Sequence, residues 1–464
     1  MQWNSDQVKT MFSAQLPHSW IATGISIDTR TLKPGDIFVA LKGAKMDGHD
    51  YIQTAEKAGA SAVLVDHPVD CQIPQIVVPD VLEGLRKFAL DARSRTHAKI
   101  AGVTGSVGKT SSKEALNFVL QDQAPTFATP RSYNNHWGLP LALAMIPEDV
   151  TYGVLEMGMN NPGEIAGHTR LVRPQVAYIT NIEGIHIGRL GSMKAIAQAK
   201  AEIFEGLQPG GIAIINSDTN ETEILEAAAS GHELWRVGCG QKADIRLIAC
   251  DEGSDHQIIH ANIHGEELSY RLNLLGRHWA MNSLGILAVV KALGADVKRA
   301  AAKLAEFRAV AGRGQIHEVK LSGGQKLTVI DESYNAGPVS MRAALEVLKK
   351  AGKDAHRRIA VLGDMLELGD SEKEEHVRLK DAIIANDVDL VYTSGERMAE
   401  LAKVLPDSMR GGHLDDPKAL GLEISAQAQP GDVYMVKGSR GGYHSQGRMY
   451  AVVESLLELN QKQG

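Results

Sequence analysis

Residues 99–116, KIAGVTGSVGKTSSKEAL, carry the densest chemistry in the chain. An apolar, strand-like run enters Gly105, Ser106, Val107, Gly108, Lys109 and Thr110, and a helical pattern follows. Glycines let a backbone curl so that its N–H groups meet phosphate oxygens, and the helix N-terminus behind them adds partial positive charge. Lys109 would neutralise the outer phosphates of a nucleotide, and the Thr110 hydroxyl would ligate Mg²⁺. The form is TGxxGKT. The commoner loop has Gly five positions before Gly108, where this chain has Val103. An ordinary strand–turn–helix junction is the alternative, but the strand and the helix both stand where a phosphate loop needs them.

Three residues further on could complete such a site. Glu156 ends the apolar run YGVLEMG (152–158), and a carboxylate at the end of a parallel strand beside a phosphate loop can hold the nucleotide's Mg²⁺. Without the loop, the same Glu reads as a helix cap or a surface residue. His186 follows VAYITNIEGIH in another post-strand loop, on the same expected sheet edge. A loop His is otherwise a surface or structural residue. Lys200 lies on the helical pattern IAQAKAEIF, where a solvated lysine is the ordinary expectation.

The elements that must position these residues alternate. Short apolar runs at 62–65, 100–103, 153–156, 176–180, 212–215, 327–330, 359–362, 390–393 and 433–436 predict strands. Stretches at 110–121, 193–207, 281–293, 340–350 and 371–385 predict helices. Alternation of this kind predicts an α/β fold with mostly parallel sheets covered by helices. Breaks near 93–98 and at FRAVAGRG (307–314) divide the chain into three domains, 1–95, 96–311 and 312–464. KPGD (33–36) is read as a β-hairpin turn, because Pro34-Gly35 is turn chemistry.

Composition limits the partners. The 464 residues carry a net charge of −7 and a pI of about 6.2, which argues against nucleic acid or an anionic membrane as main partner. Cys71, Cys239 and Cys250 have neither metal-binding nor disulfide spacing, as in a reducing compartment. The first residues do not read as a secretory leader, and no apolar run reaches the roughly 20 residues of a membrane span. A cytoplasmic, monomeric protein is the expectation.

Taken together, the motifs resemble the Mur ligases, three-domain enzymes that build the peptide stem of peptidoglycan precursors. The resemblance covers essentially the whole chain. SIDTRTLKPGDIFVALKGAKMDGHDYIQTAEKAGASAVLV (26–65) is similar to the family's uridine-nucleotide-binding domain. VTGSVGKTSSKE, RSYNNHWGLPLAL, EMGMNNPGEI, TNIEGIHIGRLGS and GRHWAMNSLGILAV follow, the last with His278 and Asn282 at the family's HxxxN spacing. AGRGQIH, DESYNAGPVSMRAAL, VLGDMLELG and VKGSRG complete the set. Within the family, DESYNA…SMRAAL and LGDMLELG favour the ligases that add D-alanyl-D-alanine over those that add L-alanine, D-glutamate or the third residue.

The resemblance implies a small α/β uridine-nucleotide-binding domain, a central phosphate-loop ATPase-like domain and a C-terminal Rossmann-like domain that binds ATP and the incoming dipeptide. It implies Mg²⁺ ligation by Thr110 and Glu156, with His186 near a second metal or acting as a base. Lys200 stands at the position of the family's carbamylated lysine. Asn282 would contact adenine, Arg313 and Asp331 the ATP phosphates and ribose, and Asn135 the substrate beside the γ-phosphate. Asp28, Thr29, Arg30, Lys42, Gly43 and Asp47 would bind the uridine nucleotide. Asn335 falls in the DESYNA motif near the substrate, followed by Gly337 where Asn is frequent. Lys437 and Arg440 would receive the dipeptide carboxylate, or else form a surface basic pair. The implied reaction joins D-alanyl-D-alanine to UDP-MurNAc-tripeptide through an acyl phosphate, with ATP and Mg²⁺. A folylpolyglutamate synthetase-like ligase, a ligase adding the third residue, and a nucleotide-driven switch acting on a protein partner are the alternatives.

Overall fold

The structure is a computed structural model that describes residues 2–13, 16, 19–43, 45–185, 187–253, 255–440 and 448–460. His186 lies outside the described residues. Among the described residues, one small sheet and two larger ones carry the chain, with a two-stranded ribbon (Trp3–Asn4 with Ile21–Ala22) at the start.

The first of these sheets runs in chain order, Gly24–Ser26, Asp36–Val39, Ala62–Val65 and Gln75–Val77, with every pair parallel. This corrects the hairpin reading of KPGD. The turn exists: the Asp36 amide donates to the Lys33 carbonyl at 3.0 Å, and Gly35 has φ +93°. The strands it joins run the same way, with Gly24 opposite Asp36, so the chain returns before it pairs. Turn chemistry specifies a local reversal, and tertiary pairing decides what that reversal connects.

The central sheet has nine strands. In spatial order they are Glu266–Leu272, Gln257–Ile263, Ile245–Glu252, Glu233–Gly238, Ile212–Asn216, Val176–Ile179, Lys99–Thr104, Tyr152–Glu156 and Thr126–Ala128. Four are the expected parallel strands of a phosphate-loop domain, and Thr126–Ala128 and Glu233–Gly238, which the sequence reading did not mark, add parallel pairs on either side. The run Ile245–Leu272 instead forms an antiparallel meander on one edge. Its central strand alternates buried and half-buried residues, so it contains no continuous apolar run of the kind that marks a strand buried on both faces.

The last sheet has six strands, parallel except for Gln315–Lys320, which forms a hairpin with Lys326–Glu332. Helices cover both faces of the larger sheets, as the alternation predicts. The expected helix over 193–207 stops at Ala201 and continues as a tighter turn, Glu202–Gly206. No helix among the described residues is long and apolar enough to cross a membrane.

The cores divide unequally. One apolar cluster runs from Trp3, Ile37 and Leu64 through Leu85 and Leu139 to Leu155 and Ile179, so the first sheet and one face of the central sheet share a core. Arg93 reinforces the junction, donating to the carbonyls of Val172 at 2.6 Å and Arg173 at 2.9 Å. The last sheet has two clusters of its own, drawn almost wholly from residues beyond 318.

The opposite face of the central sheet is covered by Lys109–Gln121 and Arg277–Ala292. The second helix sits close because Gly285 lies over the buried Tyr178 ring, where a Cβ would overlap the phenol. Gly285→Ala is therefore expected to cost about 1–3 kcal/mol in urea unfolding through overpacking. It should also displace Asn282, which lies on the same helix one turn away. An unchanged midpoint would mean that the helix stands off the sheet.

Candidate functional site

Lys99–Thr104 lies between Val176–Ile179 and Tyr152–Glu156, parallel to both. The three strands deliver residues 105–110, 156–160 and 180–185 to one sheet edge. A cavity of about 1040 Å³ opens there, between the central and last sheets. It is lined by Ser106, Val107, Gly108, Lys109, Thr110, Asn135, Glu156, Lys200, Asn282, Arg313, Asn335, Lys437 and Arg440.

The loop's shape depends on two glycines. Gly105 has φ +146°, and a Cβ there would strike Thr180. Gly108 has φ +83°, and a Cβ there would press to 3.2 Å from the Asn282 amide. Part of the expected anion cradle is otherwise engaged. The Ser106 amide donates to the Asn181 carbonyl at 3.0 Å, and the Val107 amide donates to Asn181 Oδ1 at 3.1 Å. The amides left for an anion are those of the first turn of Lys109–Gln121, which have no carbonyl one turn behind them.

Charge is concentrated at this edge. Lys109 Nζ donates to the carbonyls of Gly105 at 2.7 Å and Ser106 at 3.2 Å. Its side chain touches the cavity, yet its amine is crowded by protein, and desolvation pushes its pKa down to about 8 against the opposing pull of Glu156. Lys200, 2% exposed, is held well below the ordinary lysine range, first by burial and then by the charge of Lys109. Glu156 is 1% exposed. Its Oε1 accepts from Asn134 Nδ2 at 2.6 Å, while its Oε2 has no partner. A buried carboxylate oxygen without a donor is costly unless a cation meets it. Together with Thr110, 8% exposed in the same cavity, this donor set fits a hard divalent ion.

The last sheet supplies the opposite wall through the 307–314 linker. Gly312 and Gly314 take φ +75° and +96°. Arg313 stacks over the Tyr334 ring at 4.2 Å, and Arg440 over the same ring at 5.4 Å. The Tyr334 hydroxyl accepts from Arg440 at 3.0 Å and lies 3.1 Å from Ser132 Oγ of the central domain. Asp331 does not line the cavity. It is fully buried, its Oδ2 accepting from the Gly312 amide at 2.7 Å and its Oδ1 from Ser333 Oγ at 2.6 Å, so here it braces the linker. Lys437 lines the cavity, but its amine is engaged by Glu332 and the Asn335 carbonyl, both at 3.0 Å. Its charge is thus already compensated by Glu332.

The uridine-site candidates gather elsewhere. Arg30 pairs with Asp28 at 2.7 Å, and Lys42 lies 3.7 Å from Asp47. Arg30 draws the Asp28 carboxyl below the usual range, with help from Arg131. Gly43 lies against Trp137: a Cβ there would be 3.1 Å from the ring. None of these residues, nor Thr29, lines the cavity. Segment 131–137 separates the two regions. Ser132, Asn134 and Asn135 face the cavity, while Arg131 and Trp137 approach the first domain. Asn135 also caps the following helix, accepting from the Gly138 amide at 2.8 Å.

Sequence reasoning missed Asn134, Ser132, Tyr334 and Lys113. In RSYNNHWG nothing distinguishes Asn134 from Asn135. Lys113 reads as an ordinary helix lysine, but is fully buried because the segment after Ala128 folds over it.

Comparison with known proteins places this geometry. Residues 22–93 match the model for the Mur ligase family catalytic domain, 103–290 the Mur ligase middle domain, and 312–440 the Mur ligase glutamate ligase domain. The UDP-N-acetylmuramoyl-tripeptide–D-alanyl-D-alanine ligase of Rickettsia prowazekii (strain Madrid E) is 33% identical over 95% of this chain and 98% of its own length. That of Escherichia coli (strain K12) is 34% identical over 94% and 93%. The crystal structure of MurF from Acinetobacter baumannii superposes with a TM-score of 0.86, at 27% identity and 99% coverage of both chains. MurF ligase from Thermotoga maritima in complex with ADP gives 0.80, at 26% identity, over 95% and 98% of the two chains. With all three family domains matched in order and relatives aligned over nearly its full length, the chain belongs to the Mur ligase family.

Proposed function

We propose that this chain joins D-alanyl-D-alanine to the terminal carboxylate of UDP-N-acetylmuramoyl-tripeptide, converting ATP to ADP and phosphate. It acts as a cytoplasmic monomer of three domains, 1–95, 96–311 and 312–464. The observation that carries this reading is that Lys109 and the unpartnered oxygen of Glu156 line one cavity, whose other wall comes from the last domain. Asp28, Thr29, Arg30, Lys42, Gly43 and Asp47 of the first domain hold the uridine nucleotide, across segment 131–137 from that cavity.

Carboxylate is a poor electrophile, so it must be activated. The γ-phosphoryl group passes from ATP to a carboxylate oxygen of the tripeptide, and ADP leaves. The dipeptide amine then attacks the carbonyl carbon and loses a proton, and phosphate departs with the original carboxylate oxygen. Two anions meet in the first step, so the site must gather positive charge. Lys109 exchanges its carbonyl partners for nucleotide phosphates, and Arg313 brings a second cation from the last domain. Thr110 and Glu156 would hold Mg²⁺, which would supply further positive charge for the phosphates. Asn282 flanks the loop where adenine docks, and Asn135 and Asn335 reach the tripeptide. Asp331 acts through the linker, and Arg440 takes the dipeptide carboxylate, with Lys437 exchanging Glu332 for it. His186 orders the metal shell or takes the amine proton. Burial beside Lys109 favours the neutral amine of Lys200, the form that reacts with CO₂ to form a carbamate. An acyl phosphate hydrolyses readily, and closure of the last domain about the 307–314 linker keeps water out.

Phosphate release from ATP should require the tripeptide nucleotide and D-alanyl-D-alanine together, and should fall by about 10²–10³-fold in Lys109→Ala. Release with a folate, or with another amino acid in place of the dipeptide, would overturn the substrate assignment.

The low pKa of Lys109 predicts a pH dependence. ADP affinity, measured by calorimetry, should be level below pH 8 and fall by up to about tenfold per unit above it, as the amine loses its proton. Fold stability should move the other way. The folded chain releases this proton at about 8 and the unfolded chain near 10.5, so this group's contribution rises between those values. A break at pH 8 that persists in Lys109→Met would assign it to another group.

A further inference from the structure

Glu156 offers one oxygen to the cavity because its other oxygen is taken. Asn134 Nδ2 donates to Oε1 at 2.6 Å, and Oε2 is left buried without a donor. The amide making this contact is itself fixed. The Asn134 carbonyl accepts from the Gly158 amide at 2.8 Å, two residues beyond Glu156. Gly158 has no side chain to crowd it: a Cβ there would lie 3.0 Å from Asn134 Cγ. The backbone leading to Asn134 is held from the phosphate helix. Lys113, fully buried, donates to the carbonyls of Thr129 at 2.8 Å and Arg131 at 3.1 Å. Thr129 Oγ in turn accepts from the Glu156 amide at 3.0 Å. One short segment, clamped by the helix that begins with Lys109, thus grips the backbone and one side-chain oxygen of the carboxylate.

We infer that Asn134 is a positioning residue for the nucleotide's divalent ion: it holds Glu156 so that Oε2 alone faces the cation, and Lys113 keeps it in register with the phosphate loop. The inference rests on the nucleotide–metal part of the function proposed above, and not on the identity of the peptide substrates. A hydrogen bond that fixes a ligating carboxylate sets its direction and narrows its rotamers, so loss of that bond weakens the metal rather than the nucleotide. The neighbouring Ser132 contacts Tyr334 of the last domain, so the segment that orients the carboxylate also touches the closing wall.

The test is ADP binding by calorimetry on the full chain, with Mg²⁺ titrated from zero to saturation. Asn134→Ala should raise the half-saturating Mg²⁺ concentration about tenfold. ADP affinity without Mg²⁺ should stay within about twofold, since the hydrogen bonds of Asn134 run to Glu156, Gly158 and Ser132. Glu156→Gln should also raise the Mg²⁺ requirement. On that background Asn134→Ala should add nothing, because no carboxylate remains to be aimed. Asn134→Ser, whose hydroxyl is too short to reach Oε1, should reproduce the alanine shift and serves if the alanine variant does not fold. An unchanged Mg²⁺ requirement in a folded variant overturns the inference, and so does a full further shift on the Glu156→Gln background. ADP binding needs no peptide substrate. Failure of tripeptide-dependent phosphate release would therefore sink the ligase assignment and leave this assay standing.

Discussion

The site is organised by an unbalanced set of buried charges. Lys109, Lys200 and Glu156 share one cavity, and burial works against the charged form of both lysines. Glu156 pulls the Lys109 pKa up and desolvation pulls it down. Desolvation wins, since the value ends near 8 rather than above the ordinary range. Lys109 then pushes Lys200 lower still. A polyphosphate with its cation would complement this arrangement, offering an anion to Lys109 and a cation to the free oxygen of Glu156.

Segment 129–137 gives this local chemistry its reach. Its first residues are anchored by Lys113, its middle residues face the cavity, and Arg131 and Trp137 approach the first domain. The first and central sheets share a continuous core, whereas the last sheet has its own, which only Leu275 joins from the central domain, and also meets the rest through polar contacts such as Tyr334 with Ser132. Large apolar interfaces resist relative motion, and small polar ones permit it. The last domain is therefore the part suited to close.

Where the sequence reading stopped short, the reasons are physical. The meander of Ile245–Leu272 pairs one covered face with one polar face, so a search for continuous apolar runs passes over it. Asp331 sits in a motif that points to the nucleotide, yet its oxygens are spent on Gly312 and Ser333. Lys437 is matched by Glu332, the residue directly opposite it in the neighbouring strand. The Lys437–Glu332 pairing joins residues 105 positions apart and leaves no trace in local spacing.

The sequence by itself determined the elements and the reactive groups. Apolar runs mark the parallel strands, and glycine and lysine spacing marks the phosphate loop, because backbone conformation and charge are local properties. Tertiary structure alone decided which groups are free to act. Whether an amide, an amine or a carboxylate oxygen is available depends on what packs against it. Asn134 takes one oxygen of Glu156 and leaves the other, Asn181 occupies two amides of the loop, and Lys113 is buried by a segment that returns over it.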